Sequence, residues 1–174
     1  LPVYSASIIP YRGAWLVLSF DARGSLFFRI DNKRKLPIYH LLVALGMGVQ
    51  EMMEYFYRAL KVKHDKKTSM FELDLDMDAM AGRHAPFNVY NEAGDVVVTY
   101  DKIVNRKTIK DMKAAGKLFC KRESLEGAYL AKGVEYEGEE LYPAASLVTD
   151  SMIESFGEIA KDGFYIIDQS VAGY

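Results

Sequence analysis

Cysteine is almost absent from this sequence, which carries a single thiol, Cys120, among 174 residues. A single cysteine cannot form an internal disulfide, so the composition fits a reducing compartment. No apolar run approaches the roughly 20 residues that a membrane-spanning helix needs. The first residues, LPVYSAS, have neither the basic nor the apolar region of a signal peptide, and no initiator methionine. We therefore expect no leader, and we expect the chain to be a piece of a longer protein.

Motifs for catalysis and metal binding are absent as well. The sequence contains no nucleophile motif, no P-loop, no paired CxxC and no HExxH. Asp74, Asp76 and Asp78 alternate as in a cation-binding loop, but Ala79 and Ala85 occupy the positions at which an EF-hand requires Gly and Glu. The acids fit a polar strand edge or a helix start better. The residues alone predict no catalytic site and no metal site.

Charge is distributed unevenly along the chain, although the net charge is only −2. Residues 1–35 contain six Lys/Arg and two Asp, a net of +4. Residues 36–121 contain thirteen Lys/Arg and eleven Asp/Glu, whereas residues 122–174 contain three and eleven, a net of −8. A basic N-terminal part could face a polyanion, which the acidic C-terminal part would repel. Uneven surface charge without a function is an equal alternative.

The apolar pattern predicts a small sheet followed by two helices. Three strands are expected near residues 4–9, 14–20 and 25–30, with a turn between the second and third that makes them a hairpin. Apolar residues then recur at helical spacing from residue 38 to 45 and from 49 to 56. Half of the residues are hydrophobic, which is enough for a packed core.

From Val89 onward the chain repeats its pattern. Gly94 and Gly138 match at an offset of 44 residues, and each copy has the pattern of two strands, a capped helix and a further strand. Asn105 and Thr149 are the expected N-caps of the two helices. The sequence thus predicts an α+β fold: a small sheet with two helices, followed by two duplicated β-β-α-β modules.

The stretch from residue 8 to 36 contains the residues most suited to bind a polyanion. Arg12, Lys33, Arg34 and Lys35 could each neutralise a phosphate, and Trp15 could stack on an unpaired base. Alternatively, Trp15 fills a core and the basic cluster is a solvated turn. The residues alone leave both interpretations open.

Three segments in and shortly after this stretch change the balance between these two interpretations. IIPYRGAWL, FRIDNKRKLP and LLVALGM, in this order, closely resemble the β2, or lobe, domain in the β subunit of bacterial DNA-directed RNA polymerase. That family has the pattern IIPYRGSWLD-x-EFD, then RIDRRRKLP, then a helix ending in ALG. The resemblance divides the chain into the N-terminal part of the lobe (residues 1–74), a lineage-specific insertion of two β/α repeats (75–170) and the start of the re-entry into the lobe (171–174).

The resemblance implies a role in guiding DNA. The family's lobe forms one wall of the cleft for downstream DNA and the non-template strand, and its tryptophan, here Trp15, stacks on a non-template base. Asn32 replaces an arginine of the family, which removes one possible contact. The resemblance thus implies six nucleic-acid-binding residues: Arg12, Trp15, Asn32, Lys33, Arg34 and Lys35.

Catalysis is implied for the whole polymerase, a nucleotidyltransferase, and not for this chain. The family's catalytic magnesium is held by the β′ subunit, so we expect no cofactor here. The implied partners are the α, β′, ω and σ subunits and DNA, in the nucleoid of the cytoplasm. The insertion, acidic in its second copy, could dock a regulatory protein. The alternative is a protein-interaction module with no direct nucleic-acid role.

Overall fold

The structure, a computed structural model, describes residues 3–168 and divides the chain into two compact units. One lies within residues 1–48 and the other within residues 49–172. We call their described parts the N-terminal unit (residues 3–48) and the C-terminal unit (residues 49–168). The predicted boundary between lobe and insertion, at residue 74, concerns evolutionary origin and stays a prediction. The predicted re-entry segment, 171–174, lies outside the described residues.

The N-terminal unit is a four-stranded antiparallel sheet followed by one helix. Its strands are β1 (Ser5–Ile8), β2 (Leu16–Phe20), β3 (Leu26–Ile30) and β4 (Leu36–Pro37), in that spatial order, and α1 (Ile38–Ala44) follows directly. The predicted hairpin of the second and third strands is confirmed as β2–β3. Pro10 follows β1 because a proline cannot donate to a strand ladder.

The register of this sheet separates an apolar face from a mixed face. Leu18 of β2 lies opposite Phe28 of β3, which in turn lies opposite Leu36 of β4, so these side chains share the apolar face. Phe28 is the buried hydrophobic residue of the N-terminal unit. The sheet is therefore a thin layer with side chains accessible on its surfaces.

Both ends of α1 follow simple backbone rules. Pro37 precedes the first helical residue, where its missing N–H costs nothing. At the other end Gly46 has φ +90°, its N–H donates to Val43 O at 3.0 Å, and the N–H of Met47 donates to Leu42 O at 3.0 Å. These two bonds form a Schellman motif, in which Gly46 ends the helix.

The C-terminal unit is built on a six-stranded sheet in the order β12-β5-β6-β9-β7-β8, with a separate two-stranded sheet, β10–β11. Its elements are α2 (Val49–Phe56), β5 (Ala59–Asp65), β6 (Met70–Asp74), β7 (Val89–Tyr90), β8 (Val96–Val98), α3 (Arg106–Ala115), β9 (Leu118–Cys120), a 3₁₀ turn (Arg122–Ser124), β10 (Val134–Tyr136), β11 (Glu139–Tyr142), α4 (Asp150–Ile159) and β12 (Phe164–Ile167). None of the helices between residues 3 and 168 is long and apolar enough to cross a bilayer.

Strand β5 was not predicted from the sequence, because residues 61–67 are mostly charged. Lys61 and Lys63 alternate with the buried Leu60 and Val62, so one face of the strand enters the core and the other carries the lysines. The alternation of buried and more exposed residues along the segment, rather than its charge, is typical of a strand.

The duplicated β-β-α-β order is confirmed in both copies. The first is β7-β8-α3-β9 and the second is β10-β11-α4-β12. The structure adds that the last strands of the two copies flank one hairpin: β9 pairs with β6, and β12 pairs with β5. The β5–β6 hairpin, which precedes both copies in sequence, therefore joins them into one sheet.

Equivalent hydrogen bonds extend the repeat upstream of residue 89. The N–H of Gly82 donates to Val104 O at 2.8 Å, and in the second copy the N–H of Gly127 donates to Val148 O at 3.0 Å. The offsets are 45 and 44 residues. The repeated unit is thus longer than its sequence pattern indicates.

The two helix N-termini differ although their positions correspond. Asn105 Oδ1 accepts from the N–H groups of Lys107 and Thr108, at 2.9 Å each, as predicted. Thr149 occupies the equivalent position in α4 but makes no side-chain bond to the helix, and its Oγ1 lies 3.1 Å from Ser151 Oγ instead. Thr149 is thus the N-cap residue of α4, as predicted, but its side chain does not bond to the N–H groups of the helix.

Candidate nucleic-acid interface

Trp15 lies immediately before β2, where the β2–β3 hairpin ends. Its side chain is 53% exposed. The interpretation in which Trp15 fills a core is therefore wrong, because an indole that plugs a core would be excluded from water. An accessible indole presents a ring face on which a planar base can stack.

The strand register places Trp15 on the mixed face of the sheet. Val17 lies opposite Arg29, so the alternation of strand residues puts Trp15 and Arg29 on the same face as diagonal neighbours. Phe27 shares this face, and the Nζ of Lys35 lies 4.0 Å from the centre of its ring. One face of the hairpin thus combines aromatic and cationic side chains.

The basic run begins in the turn that follows β3. Asn32, Lys33 and Arg34 are exposed, and the N–H of Lys33 donates to Ile30 O at 3.3 Å, which shapes the turn. Lys35 differs from these three because its amine rests on the Phe27 ring, a cation–π contact. Lys35 must give up this contact before its amine can reach a phosphate.

Asp31 connects the start of the basic run to Trp15. The N–H of Trp15 donates to Asp31 Oδ1 at 2.9 Å, and the N–H of Asp31 donates to Trp15 O at 2.8 Å. Trp15 and the residues that directly follow Asp31 are thus held at the same end of the hairpin. Arg12 is exposed in the bend that precedes Trp15 by three residues.

Positive charge predominates at this end of the hairpin. The carboxylate at this end is that of Asp31, whereas Asp21 lies in the turn at the opposite end of the hairpin, where main-chain N–H groups of Ser25 and Arg23 lower its pKa. None of the cations has an ion pair within residues 3–168. The cations are Arg12, Arg29, Lys33 and Arg34, whereas the charge of Lys35 contributes to the lowered pKa of Asp21.

Sequence reasoning missed two residues of this surface. Arg29 lies within the third strand, and only the register shows that it shares a face with Trp15. The alternation in Phe27-Phe28-Arg29-Ile30 was the available signal, because a charge within an apolar strand must point away from the apolar face. Tyr11, next to Arg12, is fully exposed and offers a second accessible ring.

The C-terminal unit contains the three alternating acids and the single cysteine of the sequence. Two of its alternating acids are paired with cations: Asp76 with Arg58 at 3.4 Å and Asp78 with Lys113 at 2.8 Å. No group of three or more His, Cys, Asp or Glu within residues 3–168 could hold a metal ion. Burial raises the pKa of the Cys120 thiol to about 12, so it is a poor nucleophile.

A comparison with protein families matches the part of the chain that contains this surface. Residues 1–78 match the family model described as RNA polymerase Rpb2, domain 2. The matched part of the chain is therefore similar to a domain of a DNA-directed RNA polymerase subunit. More specifically, these residues match the lobe domain of the RNA polymerase β subunit, so the resemblance to a lobe domain is confirmed for this part of the chain.

The family match does not end where the first compact unit ends. It includes the N-terminal unit, α2 and the β5–β6 hairpin, and stops at residue 78. The hairpin that joins the two repeats therefore comes from the family segment, while the repeats themselves follow it in sequence. A cut at residue 74 would remove both strands that flank this hairpin, β9 and β12.

Proposed function

We propose that the N-terminal unit forms part of a non-catalytic wall in RNA polymerase and contacts the non-template strand and downstream DNA. The observation that carries this proposal is the half-exposed indole of Trp15 on a sheet face shared with Arg29, at the strand end where the basic run begins. A ring face for a base and cations for phosphates are the two features that single-strand binding needs.

The individual roles follow from side-chain chemistry. Trp15 stacks on an unpaired base, a contact worth about 1–3 kcal/mol. Arg12, Arg29, Lys33 and Arg34 neutralise phosphates, while the amine of Lys35 rests on the Phe27 ring. Asn32 supplies a neutral amide, which can hydrogen-bond to a base or phosphate but releases no counterion. None of these contacts selects a sequence strongly.

In this proposal, the catalytic steps of RNA synthesis are carried out by another subunit of the polymerase. Magnesium and the catalytic residues belong to the β′ subunit, and the chain works in an assembly with α, β′, ω and σ in the nucleoid. The assignment of residues 75–170 to a lineage-specific insertion of a bacterial lobe belongs to the same proposal.

Open complexes of the assembled polymerase test this function. Trp15→Ala should shorten their lifetime by at least about fivefold, because the loss of one stacking contact corresponds to about 1 kcal/mol or more. Tyr39→Ala is the matched control, since Tyr39 is a similarly exposed aromatic residue (49%) on α1. An unchanged lifetime in Trp15→Ala, or an equal loss in Tyr39→Ala, would contradict the proposed contact.

A second candidate function concerns the β10–β11 hairpin. Glu135 lies directly opposite Glu140, and Glu137 and Glu139 are exposed beside them. Opposed like charges destabilise a hairpin and repel DNA, so this surface suits a basic protein partner better than a nucleic acid. Docking of a regulatory protein is therefore the alternative role for the second repeat.

Four Glu→Gln substitutions in that hairpin test docking without cutting the sheet. If the hairpin docks a factor, the fourfold variant should keep basal transcription and lose the factor's effect. Loss of basal activity would assign the hairpin to the polymerase reaction instead. Deleting residues 75–170 is a poorer test, because it strips the β5–β6 hairpin of its neighbours and exposes its buried side chains.

A further inference from the structure

We propose that Asp31 is a positioning residue: its carboxylate fixes the backbone of Trp15 and thereby sets the orientation of the indole for stacking. This inference rests on the proposed function, because it explains how the stacking residue is held. Asp31 itself is not among the residues that the sequence assigned to nucleic-acid contact.

The carboxylate takes the place of a main-chain carbonyl in the strand ladder. Leu16 and Ile30 form the last regular pair of β2 and β3. In the next pair, the N–H of Asp31 still donates to Trp15 O at 2.8 Å, but the N–H of Trp15 donates to the Oδ1 of Asp31 at 2.9 Å instead of to its main-chain oxygen. The ladder is thus extended by one pair through a side chain.

The backbone conformation of Asp31 explains why a side chain is required. Asp31 has φ +48°, a left-handed conformation that turns the chain toward Asn32 and Lys33. Aspartate, asparagine and glycine tolerate this conformation, whereas most residues do not. The residue here must both adopt positive φ and offer an oxygen at the length of one methylene, and only aspartate and asparagine do both.

The negative charge of Asp31 makes the inference testable, because a charge effect and a positioning effect change the affinity for DNA in opposite directions. A carboxylate among Arg12, Arg29 and the basic run repels phosphate, so its removal should tighten binding if charge alone matters. If the carboxylate positions Trp15, removing the oxygen should weaken binding in spite of the more favourable charge. The two accounts therefore predict opposite effects for Asp31→Gly.

Three variants separate oxygen, charge and backbone strain. Asp31→Asn keeps the oxygen and the tolerance of positive φ but removes the charge. Asp31→Gly removes both oxygen and charge while the backbone stays relaxed. Asp21→Gly is the matched control, because Asp21 also accepts main-chain N–H groups through its carboxylate, but in the turn at the far end of the same hairpin.

The emission of Trp15 is a direct readout, because the chain contains one tryptophan. The intact chain and its variants are titrated with a single-stranded oligothymidylate, and the quenching and the apparent affinity are measured. We expect Asp31→Asn to quench like the wild type and to bind as tightly or up to about twofold more tightly, because only a repelling charge is lost. We expect Asp31→Gly to lose most of the quenching and at least about fivefold in affinity, because an unfixed indole stacks poorly.

Exchange of the Trp15 amide gives a second readout that does not depend on DNA. Its hydrogen-exchange protection should persist in Asp31→Asn and in Asp21→Gly and disappear in Asp31→Gly. Equal protection in Asp31→Gly would overturn the inference. If Asp31→Gly unfolds the hairpin, Asp31→Asn still decides the matter, since weaker binding or lost protection in that variant would contradict a role of the oxygen alone.

The outcomes distinguish this inference from the function on which it rests. If the wild type is quenched and Asp31→Gly is quenched equally, stacking stands and the positioning role of Asp31 is overturned. If the wild type itself is not quenched at any accessible concentration, Trp15 does not stack, and both proposals are overturned.

Discussion

Replacing Lys33 with glutamine should change how the binding of single-stranded DNA depends on salt. Lys33 is exposed in the turn after β3 and has no ion pair within residues 3–168. Its amine is therefore free to neutralise a phosphate, and that neutralisation releases a counterion. Removing one such amine should reduce the salt dependence as well as the affinity.

The magnitude follows from the number of free cations near Trp15. Arg12, Arg29, Lys33 and Arg34 are unpaired, while the amine of Lys35 rests on Phe27. Four contacts to a single strand give a slope of log K against log salt of about −2.8, so affinity should fall about 50-fold between 50 and 200 mM salt. With three contacts in Lys33→Gln the slope becomes about −2.1 and the fall about 20-fold.

Titrations at four or more salt concentrations, followed by fluorescence anisotropy of a labelled oligothymidylate, measure this slope. Lys66→Gln is the control, because Lys66 is an equally exposed lysine in the turn between β5 and β6 and its loss changes the net charge equally. A slope in Lys33→Gln equal to that of the wild type, or an equal decrease in Lys66→Gln, would refute the reasoning.

Three further predictions concern the C-terminal unit. Asn105→Ala should lower the free energy of unfolding by about 1 kcal/mol because it removes the cap of α3, whereas Thr149→Ala should cost only a few tenths, and urea denaturation of both variants measures the difference. Cys120 should resist thiol reagents in the native chain at pH 8–9 but react after unfolding, because its pKa is about 12 when buried against an ordinary value of 9.0. Equal reactivity of the native and unfolded chains would contradict the burial of Cys120. The free energy of unfolding should also decrease as the pH rises above 9, since only the unfolded state then releases the thiol proton.

Features with a strong local signal could be predicted from the sequence. The β2–β3 hairpin follows from two alternating apolar runs around a turn, and α1 lies between Pro37 and Gly46, which set its ends. The repeat was visible because glycines and apolar positions recur at a nearly constant offset. Each of these signals depends on a few neighbouring residues.

Features that depend on pairing between distant segments could not be predicted. Strand β5 was not predicted because Lys61 and Lys63 make the segment highly charged. Nothing in the local sequence shows which face of the strand is buried. The membership of β5 and β6 in one sheet with both repeats is likewise a property of the assembled strands.

The residues of the candidate interface also divide into those that the sequence predicted and those that only the structure shows. Trp15 and the basic run were recognised from residue type and from the family pattern, whereas Arg29 required the strand register and Asp31 required a positive φ. The residue types alone do not show that the carboxylate of Asp31 replaces a main-chain carbonyl in the strand ladder. An Asp at the end of a strand is usually interpreted as a turn residue.

The central claim is that the indole of Trp15 stacks on an unpaired base. The most direct test is the emission of this single tryptophan while the intact wild-type chain is titrated with an oligothymidylate at low salt, and separately with a duplex of the same length. The account predicts clear quenching by the single strand and much less by the duplex, whose bases are already stacked on each other. No quenching by the single strand, or equal quenching by both, would contradict it.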